Sequence, residues 1–262
     1  MPILFSGDFH AGEAQELSSI TKNALLKKYQ QAKYDFIQYH IILGDGGFLW
    51  PGKDGTDRYN YKALACRPFP VLCVIGNHEP ILGMNDLPEV DMGIGEKVYR
   101  IQDKPFVAYL KRGKVYTVDG FKILVLGGAL SVDRELRKPG KTWWEWEYWS
   151  EQEKRDVFKL LERENTFDYV ISHTGPHHIN KRLFQDRDSY SEKFKDKAAF
   201  LNDEIHDRIQ FREWWCGHWH SNLYYCDQRT GRGYQYLYKA TKILDRVDGK
   251  LTVYNEYGDA KR

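Results

Sequence analysis

Short apolar runs, each stopping at a small residue followed by an ionisable or amide side chain, punctuate this chain. They read Ile3-Leu4-Phe5-Ser6 before Gly7-Asp8, His40-Ile41-Ile42-Leu43 before Gly44-Asp45, and Val71-Leu72-Cys73-Val74-Ile75 before Gly76-Asn77-His78. Tyr169-Val170-Ile171 before Ser172-His173 and Trp214-Trp215-Cys216 before Gly217-His218 repeat the pattern. Runs of this length, rich in β-branched and aromatic residues, predict strands covered on both faces. Helical spacing lies between them, at Leu17, Ile20, Ala24, Tyr29 and Ala32, and Ser150-x-x-Glu153 forms a capping box ahead of Val157, Leu160 and Leu161. Asp119-Gly120 separates Val115–Val118 from Phe121–Leu126, and Asp248-Gly249 separates Ile243–Val247 from Leu251–Tyr254. Both dipeptides suit primed hairpin turns, so the later part of the chain adds antiparallel strands to an α/β plan.

With 262 residues, 42% of them hydrophobic and 15% aromatic, the chain is expected to form one domain over residues 1–262, with loop elaborations near 129–149 and 177–197. A formal charge of +2 provides no broad basic field, which weighs against a nucleic-acid substrate. Cys66, Cys73, Cys216 and Cys226 lack paired spacing and read as reduced, with Cys216 a small buried hydrophobe inside its strand. No apolar run reaches membrane length and the first residues do not form a signal peptide, so the expectation is a soluble cytoplasmic protein. The charged stretch from Lys181 to Lys197 could serve as a lid but reads better as solvated surface.

In an α/β sheet the loops after the strand carboxyl ends converge on one rim, where ligands bind. Here that rim carries Asp8 and His10, Asp45, Asn77 with His78, His173, and His218 with His220. Carboxylate, carboxamide and imidazole donors together suit Mn, Fe(II) or Zn, whereas Ca and Mg sites use mainly oxygen. Each fragment alone is a loop cap, a turn or a strand face. Five in one order, each ending a strand, point instead to a metal site.

Gly7-Asp8-x-His10, Gly44-Asp45, Gly76-Asn77-His78-Glu79, Ser172-His173 and Gly217-His218-x-His220 resemble the motif blocks of the calcineurin-like metallophosphoesterases, and they span most of the chain. The resemblance implies a four-layer sandwich, two mixed β-sheets face to face with helices outside. It also implies two divalent metal ions (Mn, Fe or Zn): Asp8, His10 and His220 on one, Asn77, His173 and His218 on the other, Asp45 bridging, and His78 catalytic. Two such cations would share a hydroxide and neutralise charge growing on a phosphoryl group, while His78 protonates the leaving oxygen or stabilises the others. Many relatives carry an aspartate three residues after the bridging one, where it orients the histidine; here that residue is Phe48. This departure argues against the Ser/Thr protein phosphatases and diadenosine tetraphosphate hydrolases.

The implied substrate is a small phosphorylated molecule, a phosphomonoester or phosphodiester, with nucleotides among the candidates. Arg134 and Arg137, after the strand ending Gly127-Gly128, are candidates for binding phosphate oxygens. A tryptophan of the Trp143-to-Trp149 cluster could stack on a base, although core packing is the stronger expectation. His177 and His178 are expected near the site without holding metal, and His40 and His206 away from it. The rival readings are a non-catalytic protein-interaction scaffold on the same fold, which the retention of His78 and every ligand opposes, and a nuclease subunit, which would need a basic groove.

Overall fold

In the computed structural model, residues 2–8, 23, 25–26, 35–48, 67–79, 87–103, 106–131, 133–141, 143–144, 147–186, 196–247, 250–254 and 260–261 are described. The strands are β1 (Ile3–Ser6), β2 (Tyr39–Ile42), β3 (Val71–Cys73), β4 (Glu89–Val90), β5 (Val98–Asp103), β6 (Phe106–Tyr109), β7 (Lys114–Val118) and β8 (Phe121–Val125). They continue as β9 (Thr166–Ile171), β10 (Gln210–Cys216), β11 (Leu223–Cys226), β12 (Gly233–Tyr236), β13 (Thr241–Val247), β14 (Lys250–Tyr254) and β15 (Ala260–Lys261). Three helices are designated α1 (Glu151–Leu161), α2 (His177–Phe184) and α3 (Lys197–His206).

One sheet has the order β15-β14-β13-β1-β2-β3-β6-β5-β4 and the other β11-β12-β10-β9-β8-β7. Both are mixed: β1, β2, β3 and β6 run parallel, as do β8, β9, β10 and β12, with antiparallel strands at the margins. Because successive side chains point to opposite faces, each central strand feeds two cores. Ile3, Phe5, Ile41, Tyr169, Ile171 and Trp215 meet between the sheets. Their neighbours face outward: Leu4 packs with Leu25, Ile37 and Phe69, while Val170 and Trp214 pack with Val157, Leu161, Ile179, Leu201 and Ile205 of the helices. This is the four-layer plan, and it explains why the central strands read as continuous apolar runs rather than alternating ones.

Local chemistry fixes several boundaries. Ser150 caps α1 by accepting from Glu153 N–H while the Glu153 carboxylate accepts from Ser150 N–H at 2.8 Å. Asp119 and Gly120 both take positive φ, 52° and 74°, the geometry of the primed turn joining β7 to β8. Asp248-Gly249 lies outside the described residues, but the register pairs Val247 with Lys250 across it. Of the first helical pattern, Leu17, Ile20, Ala24, Tyr29 and Ala32 are outside the described residues, while Asn23, Leu25 and Leu26 are helical. The Lys181–Lys197 stretch is not simply a loop: its start completes α2 and its end begins α3, with 187–195 outside the described residues. Among the described residues no helix is long and apolar enough to cross a membrane.

Candidate metal centre

The loops after β1, β2, β3, β9 and β10 meet at one rim, and the residues preceding the candidate ligands show why the sequence places glycine there. A Cβ on Gly44 would lie 2.2 Å from His173 Nδ1, and one on Gly76 2.1 Å from Asp45 Oδ1. The loops approach so closely that only glycine fits. Four of the candidate ligands themselves occupy the left-handed region: Asp8 at φ 53°, Asp45 at 50°, His218 at 64° and His220 at 45°. Asp and His tolerate this conformation better than most residues, and such strain collects at functional sites.

Asp8, Asp45 and His173 are fully buried and offer ligand atoms all within 4.8 Å of one another. His173 Nδ1 lies 2.8 Å from the Leu43 carbonyl, which can only accept, so Nδ1 carries a proton and Nε2 is the ring nitrogen turned inward. Nε2 sits 2.9 Å from Asn77 Oδ1 and 3.2 Å from Asp45 Oδ2. His220 Nε2 lies 3.2 Å from Asp8 Oδ2, and the His218 ring is 5.1 Å from that of His173. His220 also stacks on Tyr238, ring centroids 4.3 Å apart. Burial opposes charge on His173, yet Asp45, Asp8 and the Leu43 carbonyl together outweigh it and push the ring's pKa up to about 10. His218 is pulled down by desolvation and by neighbouring His173. Two buried carboxylates with imidazole and amide donors turned toward them form a pocket that demands positive charge, and the donor set fits divalent transition cations. His10, the remaining expected ligand, lies outside the described residues.

His78 stands at the edge of this pocket. Its backbone N–H donates to Asp45 Oδ1 at 2.9 Å, and its Nε2 lies 3.7 Å from Asp45 Oδ2. Phe48 is buried in the core with Val71, Cys73 and Tyr109, and Arg137 lies beside the His78 ring. Arg137 places Nη1 2.9 Å from His78 Nδ1 and Nη2 3.3 Å from Nε2, while its Nε donates to Asp133 Oδ1 at 2.6 Å. Arg134 sits over the Trp143 ring, 4.1 Å from the centroid. Trp143, Trp144 and Trp149 are all buried, and the Trp149 indole N–H donates to the Gly127 carbonyl at 2.7 Å, so these three belong to the protein's packing. Trp146 is outside the described residues. His177 stacks on Phe200 and His178 pairs with Asp203 at 2.7 Å; His40 is buried between Ser6 and Arg67, and His206 bonds Tyr234. Cys216 is buried in the helix-side core, as expected.

Two buried carboxylates were not singled out from the sequence. Glu79 accepts backbone N–H groups from Gly76, Asp45 and Gly47, tying together the loops that carry Asp45, Asn77 and His78. Its place at the end of Gly-Asn-His-Glu, three residues after a glycine N–H it can reach back to, was the available clue. Glu147 binds Ser131, which in turn meets Asn77. Burial pushes the carboxyl pKa of both upward, reinforced for Glu79 by the Asp45 charge.

A family model described as calcineurin-like phosphoesterase matches residues 1–240. Among solved structures, a dimetal phosphatase from Danio rerio is similar in fold, with 12% identity and a TM-score of 0.52 over 99% of this chain and 96% of that one. A phosphopantetheinyl hydrolase from Mycobacterium tuberculosis aligns over 90% of this chain and 89% of its own, with 13% identity and a TM-score of 0.47. A search of curated proteins finds no match.

Proposed function

The chain belongs to the calcineurin-like phosphoesterase family, and we propose that it hydrolyses small phosphate esters at a site holding two divalent cations. The observation that carries this reading is the convergence of Asp45 Oδ2, Asn77 Oδ1 and His173 Nε2, with Asp8 and His220 alongside. In the proposed assignment Asp8 and His220, with His10 from the motif, hold one cation; Asn77, His173 and His218 hold the other; buried Asp45 serves both. Bound cations of this kind supply Lewis acidity, lowering the pKa of water and neutralising charge on phosphoryl oxygens. The donor mixture supports Mn, Fe or Zn equally.

The protein's own groups orient the substrate. His78, half-buried at the pocket edge, faces the space where phosphoryl oxygens would lie, and Arg137 adds a guanidinium on its outer side. Burial of Trp143, Trp144 and Trp149 removes them as base-stacking platforms, so nothing in the described rim favours a nucleotide over another phosphate ester. The test is elemental analysis of the purified protein, followed by assays on 4-nitrophenyl phosphate and bis(4-nitrophenyl) phosphate before and after chelation. About two divalent ions per chain and hydrolysis abolished by chelator are expected, with the preferred ester separating phosphatase from phosphodiesterase. A folded protein that takes up no divalent ion and cleaves neither ester would overturn the reading.

A further inference from the structure

We infer that Ser131 and Glu147 are positioning residues that fix which end of the Asn77 carboxamide faces the metal pocket. This rests on the metal-centre reading above. An amide side chain can be turned over with almost no change of shape, presenting either its oxygen, a ligand, or its NH2 group, which repels a cation. The choice at Asn77 is made behind it. Glu147 engages Ser131 with both carboxylate oxygens: Oε2 accepts the Ser131 backbone N–H at 3.0 Å and Oε1 accepts the hydroxyl at 2.6 Å. With its only proton committed to Glu147, the Ser131 oxygen is left as an acceptor. Asn77 therefore presents Nδ2–H to it, at 2.9 Å, and Oδ1 turns to the opposite side, 2.9 Å from His173 Nε2.

Burial enforces the arrangement. Asn77 is 2% exposed and Ser131 and Glu147 are each 1% exposed, so bulk water has almost no access to substitute for a lost partner. Glu147 is held there by the tryptophan-rich segment. Its backbone N–H donates to the Trp144 carbonyl at 3.1 Å, and Trp149 is anchored to Gly127 at the neck of the Ser131 loop. Gly128, at φ 84°, lets the two segments touch: a Cβ there would come within 2.4 Å of the Glu147 carbonyl. The segment thus acts on the site from beneath, by placing one carboxylate.

The decisive variant is Glu147→Gln, nearly identical in shape. The Ser131 backbone N–H can only donate, so it claims the glutamine oxygen and leaves the NH2 group against the Ser131 hydroxyl. The hydroxyl proton must then turn toward Asn77, which accepts it with Oδ1 and swings its NH2 into the pocket. In alkaline buffer, where Glu147 is ionised, Mn2+ affinity measured by competition with a fluorescent chelator should fall roughly 10–100-fold in Glu147→Gln, the usual effect of losing a group that orients a ligand. Ser131→Ala should weaken binding in the same direction. Both losses should nearly vanish in an Asn77→Asp background, where the two carboxylate oxygens are equivalent. Wild-type affinity in Glu147→Gln, or equal losses in both backgrounds, would overturn the inference while leaving the metal centre standing. Failure of the wild-type protein to bind Mn2+ at all would overturn both.

Discussion

Replacing Glu79 by alanine removes the common acceptor of three main-chain donors, Gly76 N–H, Asp45 N–H and Gly47 N–H, the last two at 3.3 and 3.4 Å. A buried donor left without a partner costs about 1–3 kcal/mol, which for three gives a ceiling of roughly 9 kcal/mol. Two offsets lower it. The longer contacts lie near the limit of hydrogen-bond geometry and contribute at the bottom of the range. Keeping a carboxylate buried beside Asp45 also carries its own cost, visible in the raised pKa of Glu79, and deletion relieves that cost. A net destabilisation of roughly 2–4 kcal/mol is expected.

For a domain approaching this size each kcal/mol moves the melting temperature by about 2–4 °C, so Glu79→Ala should melt roughly 5–15 °C below the parent. Metal affinity should fall with it, because the loops carrying Asp45 and Asn77 lose their shared tie. Glu79→Gln, which keeps one acceptor oxygen and sets an NH2 group against the remaining donors, should lie between. Differential scanning calorimetry with elemental analysis provides both readouts. A Glu79→Ala protein that melts within about 2 °C of the parent and retains full metal would refute the reasoning.

Asp45→Asn should strip the site of tightly bound metal and abolish turnover while the circular dichroism spectrum stays native; two retained ions with normal rates would contradict the shared role given to Asp45. His78→Ala should keep its metal and lose turnover by a similar factor for esters with good and poor leaving groups, and a loss growing steeply with leaving-group basicity would assign it proton donation instead. Glu147 has its pKa raised by burial to about 7, so the folded protein holds this proton more tightly than the unfolded chain. Its contribution to stability is complete below the unfolded pKa and lost as pH rises through about 7. Subtracting the melting profile of Glu147→Gln from the parent's should therefore give a curve falling across that window, and a flat difference would count against the buried-carboxylate assignment.

The strands that carry candidate ligands were legible because each is buried on both faces near its end and stops at a small residue, a glycine in all but the Ser172 case. Strands β5 and β6 escaped notice. Val98-Tyr99-Arg100-Ile101-Gln102-Asp103 mixes polar and apolar positions, and its pairing with β6 shifts register between Arg100 and Gln102. The Tyr-rich β11 and β12 were hidden as well, since Tyr224 is exposed while Tyr236 is fully buried, a division set by the neighbouring strand and helices. At the site, each candidate ligand could be singled out because its motif is local in the sequence. The contacts behind them could not: Ser131 meets Asn77 across 54 positions, and Arg137 meets His78 across 59. Composition likewise could not say that Arg134 would cover Trp143, which the packed loop decides.

Arg137 changes what His78 can do. An aspartate beside the ring would accept Nδ1–H, and the ring could release its Nε2 proton and remain a neutral imidazole. An arginine has only donors, and the shorter of its two approaches, 2.9 Å from Nη1 to Nδ1 against 3.3 Å from Nη2 to Nε2, favours a lone pair on Nδ1 and the ring proton on Nε2. A neutral ring in that tautomer would become an imidazolate on giving the proton away, a costly anion that the adjacent Asp45 carboxylate would oppose. His78 is then suited to hold a hydrogen bond to a phosphoryl oxygen through the reaction without transferring the proton, with the Arg137 charge strengthening the Nε2–H dipole. The buried Phe48 fits this arrangement: with no carboxylate at that position, Asp133 pairs with Arg137 instead, 2.6 Å from its Nε. Acid catalysis at the leaving oxygen would have to come from solvent, which is why the dependence on leaving-group basicity, rather than the size of the loss in His78→Ala, separates the two roles.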